Sequence, residues 1–254
     1  MKIEVLGCSG NVSRYHRTTA YLMNDRVLFD AGSVTDVLAP ERLNPISSVF
    51  LSHIHLDHVK GLCCLAEDLS MDEDRSVTLF ADKTVLDAVS QYVFNGHLWP
   101  DFREIPDQKN PILRTHAMDP MDFTVVHDLK VKAIPVSHRI YTTGFLVKEG
   151  EKTVMFTSDT GMTERFWETA QKEEHIDFII AHVAFPDRLP GLARIAGHMT
   201  PAVLIERIET YGLQHVPFYV AHAKTMFEEE IRSEIRAAGR ENLRMLEQGS
   251  ILSA

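Results

Sequence analysis

Six residues, His53-Ile54-His55-Leu56-Asp57-His58, constrain this chain more than any other stretch. They follow the apolar run Val49-Phe50-Leu51 and Ser52. In an extended segment alternate side chains point the same way, so His53 and His55 can grip one ion. If the chain then turns into a helix, Asp57 and His58 face a neighbouring position. Imidazole and carboxylate are ligand types that zinc accepts, usually in fours. Four donors in six residues imply one crowded ion or two ions sharing further ligands. Paired ions about 3.5–4 Å apart are a known hydrolytic arrangement. A chance histidine cluster on a solvated turn is the alternative, and three histidines with an aspartate at a strand end weigh against it.

The missing ligands should stand where other strands end, because rigid elements give accurate sites. His138 follows Ala133-Ile134-Pro135-Val136-Ser137, Asp159 follows Val154-Met155-Phe156-Thr157-Ser158, and His222 follows Phe218-Tyr219-Val220-Ala221. Each alone reads as a turn or capping residue. As a set with the context of His53, they read as ligands. His16, His97, His116, His127, His175 and His215 lie in loops or at element edges and read as solvated.

A chain of 254 residues suits one large α/β domain over 1–254. Strands are predicted at Ile3–Leu6, Thr19–Met23, Val27–Asp30, Ser48–Leu51, Val77–Phe80, Leu129–Val136, Thr143–Val147, Thr153–Thr157, Asp177–Ala181 and Phe218–Ala221. Helices are predicted at Val59–Asp68, Lys83–Phe94, Thr163–Lys172, Thr200–Tyr211 and Phe227–Ala237, with Thr200 as an N-cap ahead of Pro201. The strands fall into two groups, so two packed β-sheets with helices outside bury them best. Asn95 to Asp122 reads as a long irregular loop of the kind that serves as a lid, carrying Trp99.

The net charge of −10 argues against gripping a long nucleic acid and leaves room for a small phosphorylated substrate. No apolar run approaches the roughly 20 residues of a membrane helix, and the first residues read as a strand, so a cytoplasmic location is expected. Three cysteines cannot all pair, and free thiols fit that compartment.

With these residues in view, the chain resembles the metallo-β-lactamase superfamily, whose H-x-H-x-D-H segment is matched at His53 to His58. The resemblance implies a four-layer αββα fold. It implies that His53, His55 and His138 hold one ion, that Asp57, His58 and His222 hold another, and that Asp159 bridges them. Asp30, in Val27-Leu28-Phe29-Asp30-Ala31-Gly32, would stand behind a ligating histidine. Phe94-Asn95-Gly96-His97-Leu98-Trp99-Pro100-Asp101-Phe102, Thr143-Gly144-Phe145-Leu146 with Ser158-Asp159-Thr160-Gly161, and the stretch from Ala184-Phe185-Pro186 to Gly197-His198-Met199-Thr200-Pro201 look like the class II cyclic-nucleotide phosphodiesterases. His198-Met199-Thr200 is also similar to a pair in the tRNA 3′-processing nucleases, where the histidine assists phosphate chemistry. One departure stands out: His182 occupies the place where those enzymes usually have a glutamate that positions the catalytic histidine.

These resemblances imply two divalent ions, zinc foremost with manganese or iron admitted, that lower the pKa of a shared water and give a hydroxide nucleophile. Asp57 and His198 are the catalytic candidates, with His198 protonating the leaving oxygen or holding phosphate. Trp99 and Thr200 are substrate-binding candidates, and a homodimer is the expected assembly. The expected reaction opens 3′,5′-cyclic AMP or GMP to the 5′-monophosphate. A lactonase, thioesterase or β-lactamase, an RNA nuclease, and a non-catalytic metal or nucleotide sensor are the rivals.

Overall fold

The computed structural model describes residues 1–72 and 75–254. Its strands are β1 (Lys2–Gly7), β2 (Ala20–Met23), β3 (Val27–Phe29), β4 (Ser48–Phe50), β5 (Val77–Ala81), β6 (Leu113–Ala117), β7 (Phe123–Val126), β8 (Leu129–Val136), β9 (Thr142–Glu149), β10 (Lys152–Phe156), β11 (Phe178–His182), β12 (Phe218–Ala221), β13 (Leu243–Met245) and β14 (Ile251–Ser253). The helices are α1 (Pro40–Leu43), α2 (Leu56–Leu69), α3 (Lys83–Tyr92), α4 (Arg165–Lys172), α5 (Pro190–Ala196), α6 (Pro201–Thr210) and α7 (Glu228–Ala237). One sheet runs β14-β1-β2-β3-β4-β5-β6 and the other β13-β12-β11-β10-β9-β8-β7. In each, one side is antiparallel and the other parallel: β3 to β6 run parallel, as do β10 to β13. The inner parallel strands are buried on both faces, and their apolar runs (Phe178-Ile179-Ile180-Ala181 in β11) reflect it.

Three layers of apolar side chains establish the four-layer αββα order. Leu62, Leu65 and Leu69 of α2 and Val85 and Val89 of α3 pack on the outer face of the first sheet. Ile3, Val5, Tyr21, Phe29, Phe50, Phe145, Phe156 and Ile180 fill the space between the sheets. There Phe29 stacks on Phe50 and Phe156 with centroids 5.1 and 4.9 Å apart. Phe166, Trp167, Leu204, Ile208, Ile231 and Ile235 cover the second sheet with α4, α6 and α7. Helix α2 lies very close to the β3 exit: a Cβ on Gly61 would sit 2.8 Å from Ala31 O. Glycine is what allows that approach, and it carries the start of α2 to the sheet edge.

The sequence expectations need correction at several elements. The stretch Asn95 to Asp122 is not one irregular loop, because β6 lies within it and extends the parallel sheet. Only Leu113 of β6 is buried, so the alternation that marks a strand is missing. Strands β7, β13 and β14 and helices α1 and α5 also lack the patterns sought. Helix α2 starts at Leu56, before Val59, so Asp57 and His58 stand in its first turn. Among the described residues no helix is long and apolar enough to cross a membrane.

Candidate metal centre

The chemistry-bearing residues collect where the parallel strands of both sheets end, the usual place for ligands in such sheets. His53 follows β4, Asp159 follows β10, His182 closes β11 and His222 follows β12, while His138 leaves β8. His222 takes a left-handed turn with φ of 68°, as do Asp30 at 55° and Ser158 at 52°. Non-glycine residues rarely sit there, and such strain gathers at functional sites.

Among the described residues two groups of donors form, each with one ligand atom per residue and those atoms within 4.8 Å of one another: His53, His55, His138 and Asp159, and His58, Asp159, His182 and His222. In the first, His55 Nδ1 lies 3.1 Å from His53 Nε2 and 3.2 Å from His138 Nε2. A tetrahedral zinc with nitrogen at about 2.0–2.1 Å separates its ligand atoms by about 3.3 Å. In the second, His58 Nε2 and His222 Nε2 lie 3.4 and 3.2 Å from the two Asp159 oxygens. Neither nitrogen has a hydrogen-bond partner among the described residues although both are buried. Buried polar atoms are rarely left so, and donors aimed at a common point without bonding each other fit cation binding.

The opposite ring nitrogens are tied down. His138 Nδ1 donates to Gly197 O at 2.8 Å, and His58 Nδ1 donates to Asp30 Oδ2 at 2.7 Å. A neutral imidazole has one hydrogen, so both Nε2 atoms face the site bare, as ligands must. Ser52 Oγ meets His53 Nδ1 at 2.9 Å and Thr19 Oγ1 meets His222 Nδ1 at 3.1 Å. Asp30 also accepts from Ser52 N and Oγ, fixing the turn into His53.

Electrostatics favour neutral imidazoles at His222, His53 and His55 in the metal-free chain, and a charged one at His58. Burial pushes His222 down to about 3 and His53 well below its ordinary value, and burial with the neighbouring His138 lowers His55. Burial also opposes charge on Asp159 and His58. Yet His222 and His58 beside it hold Asp159 well below the carboxylate range, and the Asp159 and Asp30 carboxylates hold His58 well above the imidazole range.

Other expected residues fall in less expected places. Asp57 stands beside the second group, with Oδ2 3.7 Å from His222 Nε2 and 3.7 Å from Lys224 Nζ. His182, expected at the place of a glutamate that positions the catalytic histidine, lies within donor distance of the second group, but both its nitrogens are engaged. His198 belongs to neither group. Its ring stands edge-on to His138 at 4.9 Å and stacked on His222 at 5.5 Å between centroids, and buried Nδ1 has no partner. Burial pushes it down to about 4. Gly197, at φ 73°, closes α5 and passes so near His138 that a Cβ would lie 3.0 Å from its Nδ1.

His198 and Thr200 line a cleft of about 550 Å³ with Ser137, Met162, Ala193 and Arg194. Thr200 caps α6, yet the helix start is already answered internally. Pro201 has no N–H, Ala202 N donates to Asp187 Oδ1 at 2.8 Å, and Val203 N turns to Thr200 Oγ1. A helix start, a place that favours phosphate, is therefore filled here by Asp187. Trp99 is not brought to the cluster. It lies between the end of α3 and the start of β6, at the end of the sheet opposite the histidines, and packs half-buried on the α2–α3 core. Tyr21 and Lys224, absent from the sequence reading, do reach the centre. The signal that could have found Lys224 is its place two residues after His222, whereas nothing local marks Tyr21.

Residues 25–220 match the Beta-lactamase superfamily domain. A probable 3′,5′-cyclic-nucleotide phosphodiesterase of Yersinia pestis is 24% identical over 90% of this chain and 79% of its own length. A ribonuclease Z of Archaeoglobus fulgidus is 23% identical over 64% of this chain and 53% of its own. The crystal structure of unliganded yeast PDE1 superposes with a TM-score of 0.84 at 16% identity, covering 100% of this chain and 99% of that one.

Proposed function

Because the chain belongs to the Beta-lactamase superfamily domain family and is a hydrolase of the metallo-β-lactamase fold, we propose that it hydrolyses 3′,5′-cyclic nucleotides to 5′-monophosphates. Two divalent ions, zinc foremost, fit the donor groups; when bound they supply a water of lowered pKa and charge stabilisation for a phosphoryl oxygen. His53, His55 and His138 would hold one ion, and His58 and His222 the other with Asp57 alongside. Asp159 would be common to both.

The observation that carries the reading is His198: a buried histidine outside both donor groups, against His138 and His222, with an unpartnered nitrogen. Hydrolysis to a 5′-monophosphate breaks the P–O3′ bond, and the departing oxygen needs a proton. With the substrate's anionic phosphate beside it to favour the protonated ring, His198 would give it or hold a phosphate oxygen, and the second role has no counterpart in a lactonase. The adjoining cleft has the volume of a small-molecule site. Ribonuclease Z relatives point to RNA as a second reading, and the net charge of −10 opposes it.

The test is a screen of zinc- and manganese-loaded protein on cyclic AMP, cyclic GMP, a lactone, a thioester and a tRNA precursor. Cyclic nucleotides should turn over at least tenfold faster than the carbonyl substrates. A lactone or thioester ahead by that margin, or cleavage of the precursor alone, would overturn the assignment.

A further inference from the structure

Two rings of the second donor group leave a buried nitrogen without a partner, and the third does not. His182 is held at both ends, Nδ1 at 2.9 Å from Asp159 Oδ1 and Nε2 at 3.1 Å from Tyr21 Oη. A carboxylate only accepts, so Nδ1 carries the hydrogen; in the neutral ring Nε2 then accepts from the Tyr21 hydroxyl. The His182 ring stacks on His222 at 4.8 Å and 6° between planes, and its backbone N donates to Thr157 Oγ1. Tyr21 belongs to β2 of the first sheet and sits in the core between sheets, whereas His182 ends β11 of the second. The hydrogen-bonded series therefore crosses from one sheet to the other and stops on the one residue shared by both donor groups.

We propose that Tyr21 and His182 are positioning residues for the metal centre: by holding Asp159 through Oδ1 they present Oδ2 to both ion sites, and His182 is not itself a ligand. Asp159 Oδ2 lies 3.4 Å from His58 Nε2, 3.6 Å from His53 Nε2 and 3.9 Å from His138 Nε2, between the two groups. A carboxylate free to rotate would divide its time between orientations that favour one group or the other. His182 removes that freedom, and Tyr21 removes the freedom of His182. The inference rests on the two-ion reading of the centre and not on the identity of the substrate.

The experiment is competition for zinc between the protein and a chromophoric chelator, with the metal-free melting temperature measured in parallel. Tyr21→Phe keeps the packing and removes only the hydroxyl; it should weaken zinc binding about tenfold, and His182→Ala up to about 100-fold, the range for groups that orient ligands. His182→Asn, which can still donate near Nδ1, should recover part of the loss. Unchanged zinc affinity in both Tyr21→Phe and His182→Ala, even with a lower metal-free melting temperature, would reduce the pair to packing and overturn the proposal. Loss of one whole ion in His182→Ala with wild-type affinity in Tyr21→Phe would make His182 a ligand and also overturn it. Should His182→Ala fail to fold, Tyr21→Phe decides alone. Wild-type protein that takes up only one ion would fail the two-ion reading, visible before any variant is made.

Discussion

At His198 a buried nitrogen stands without a partner, a placement that costs on the order of 1–3 kcal/mol until a ligand answers it. His198→Ala should keep both ions and lose about 10²–10⁴ in rate on cyclic AMP, the usual worth of proton transfer. The loss should shrink on a nitrophenyl phosphodiester, whose leaving group needs little protonation. A lower melting temperature with an unchanged rate would leave His198 a packing residue, and loss of an ion would make it a ligand. The positions that cluster were legible at this scale because His53, His55 and His58 crowd into six residues, and His138, Asp159 and His222 repeat one context, a polar residue just past an apolar strand. Tyr21 was not legible. It sits in a four-residue buried strand and reads as core, and its bond to His182 joins residues 161 apart on different sheets. Asp187 was hidden similarly: its carboxylate fills the start of α6 from a loop 15 residues earlier.

Among the elements, the buried strands, even three-residue β3 and β4, and the longer amphipathic helices were legible from period and β-branched content, while exposed edge strands and the short helices α1 and α5 were not. Strand β6 shows four of five residues to solvent, and β14 has three residues, of which only Leu252 is buried. Such edge strands take their place from the neighbour they pair with, which a local pattern cannot encode. The expectation that Trp99 sits in a lid failed for a related reason. The direction of β6, parallel to β5, sends residues 93–112 to the far end of the sheet. Arg103 ties that segment to Phe94 O at 3.1 Å, and Leu113 N bonds Phe102 O at 3.0 Å. Trp99→Ala should therefore lower stability in urea by about 2 kcal/mol, roughly half the loss for a fully buried tryptophan. The rate per folded molecule should hold. A fall in rate at unchanged stability would return Trp99 to the substrate.

For the molecule as a whole, the crowded histidines couple stability to pH. His53, His55, His198 and His222 all have folded values below the ordinary 6.5, with His198 near 4 and His222 near 3. Between about pH 6.5 and 4 the unfolded chain takes up protons that the folded one refuses, so stability is whole above that window and falls as pH drops through it. His58, raised by Asp159 and Asp30, works in the opposite direction but is outnumbered. Metal-stripped protein should melt at a lower temperature at pH 5 than at pH 7.5; a higher one would mean that His58 dominates. The donors also lie in a telling order along the polypeptide. The first donor group is complete once Asp159 has been made, the second only when His222 follows. As the chain leaves a ribosome, all four donors of the first group are made while β11, β12 and α7 are still unmade. The second must wait for the last third of the sequence. Vectorial synthesis thus separates in time two sites that are adjacent in space, and the site nearest completion early is the one whose histidines come from β4 and β8.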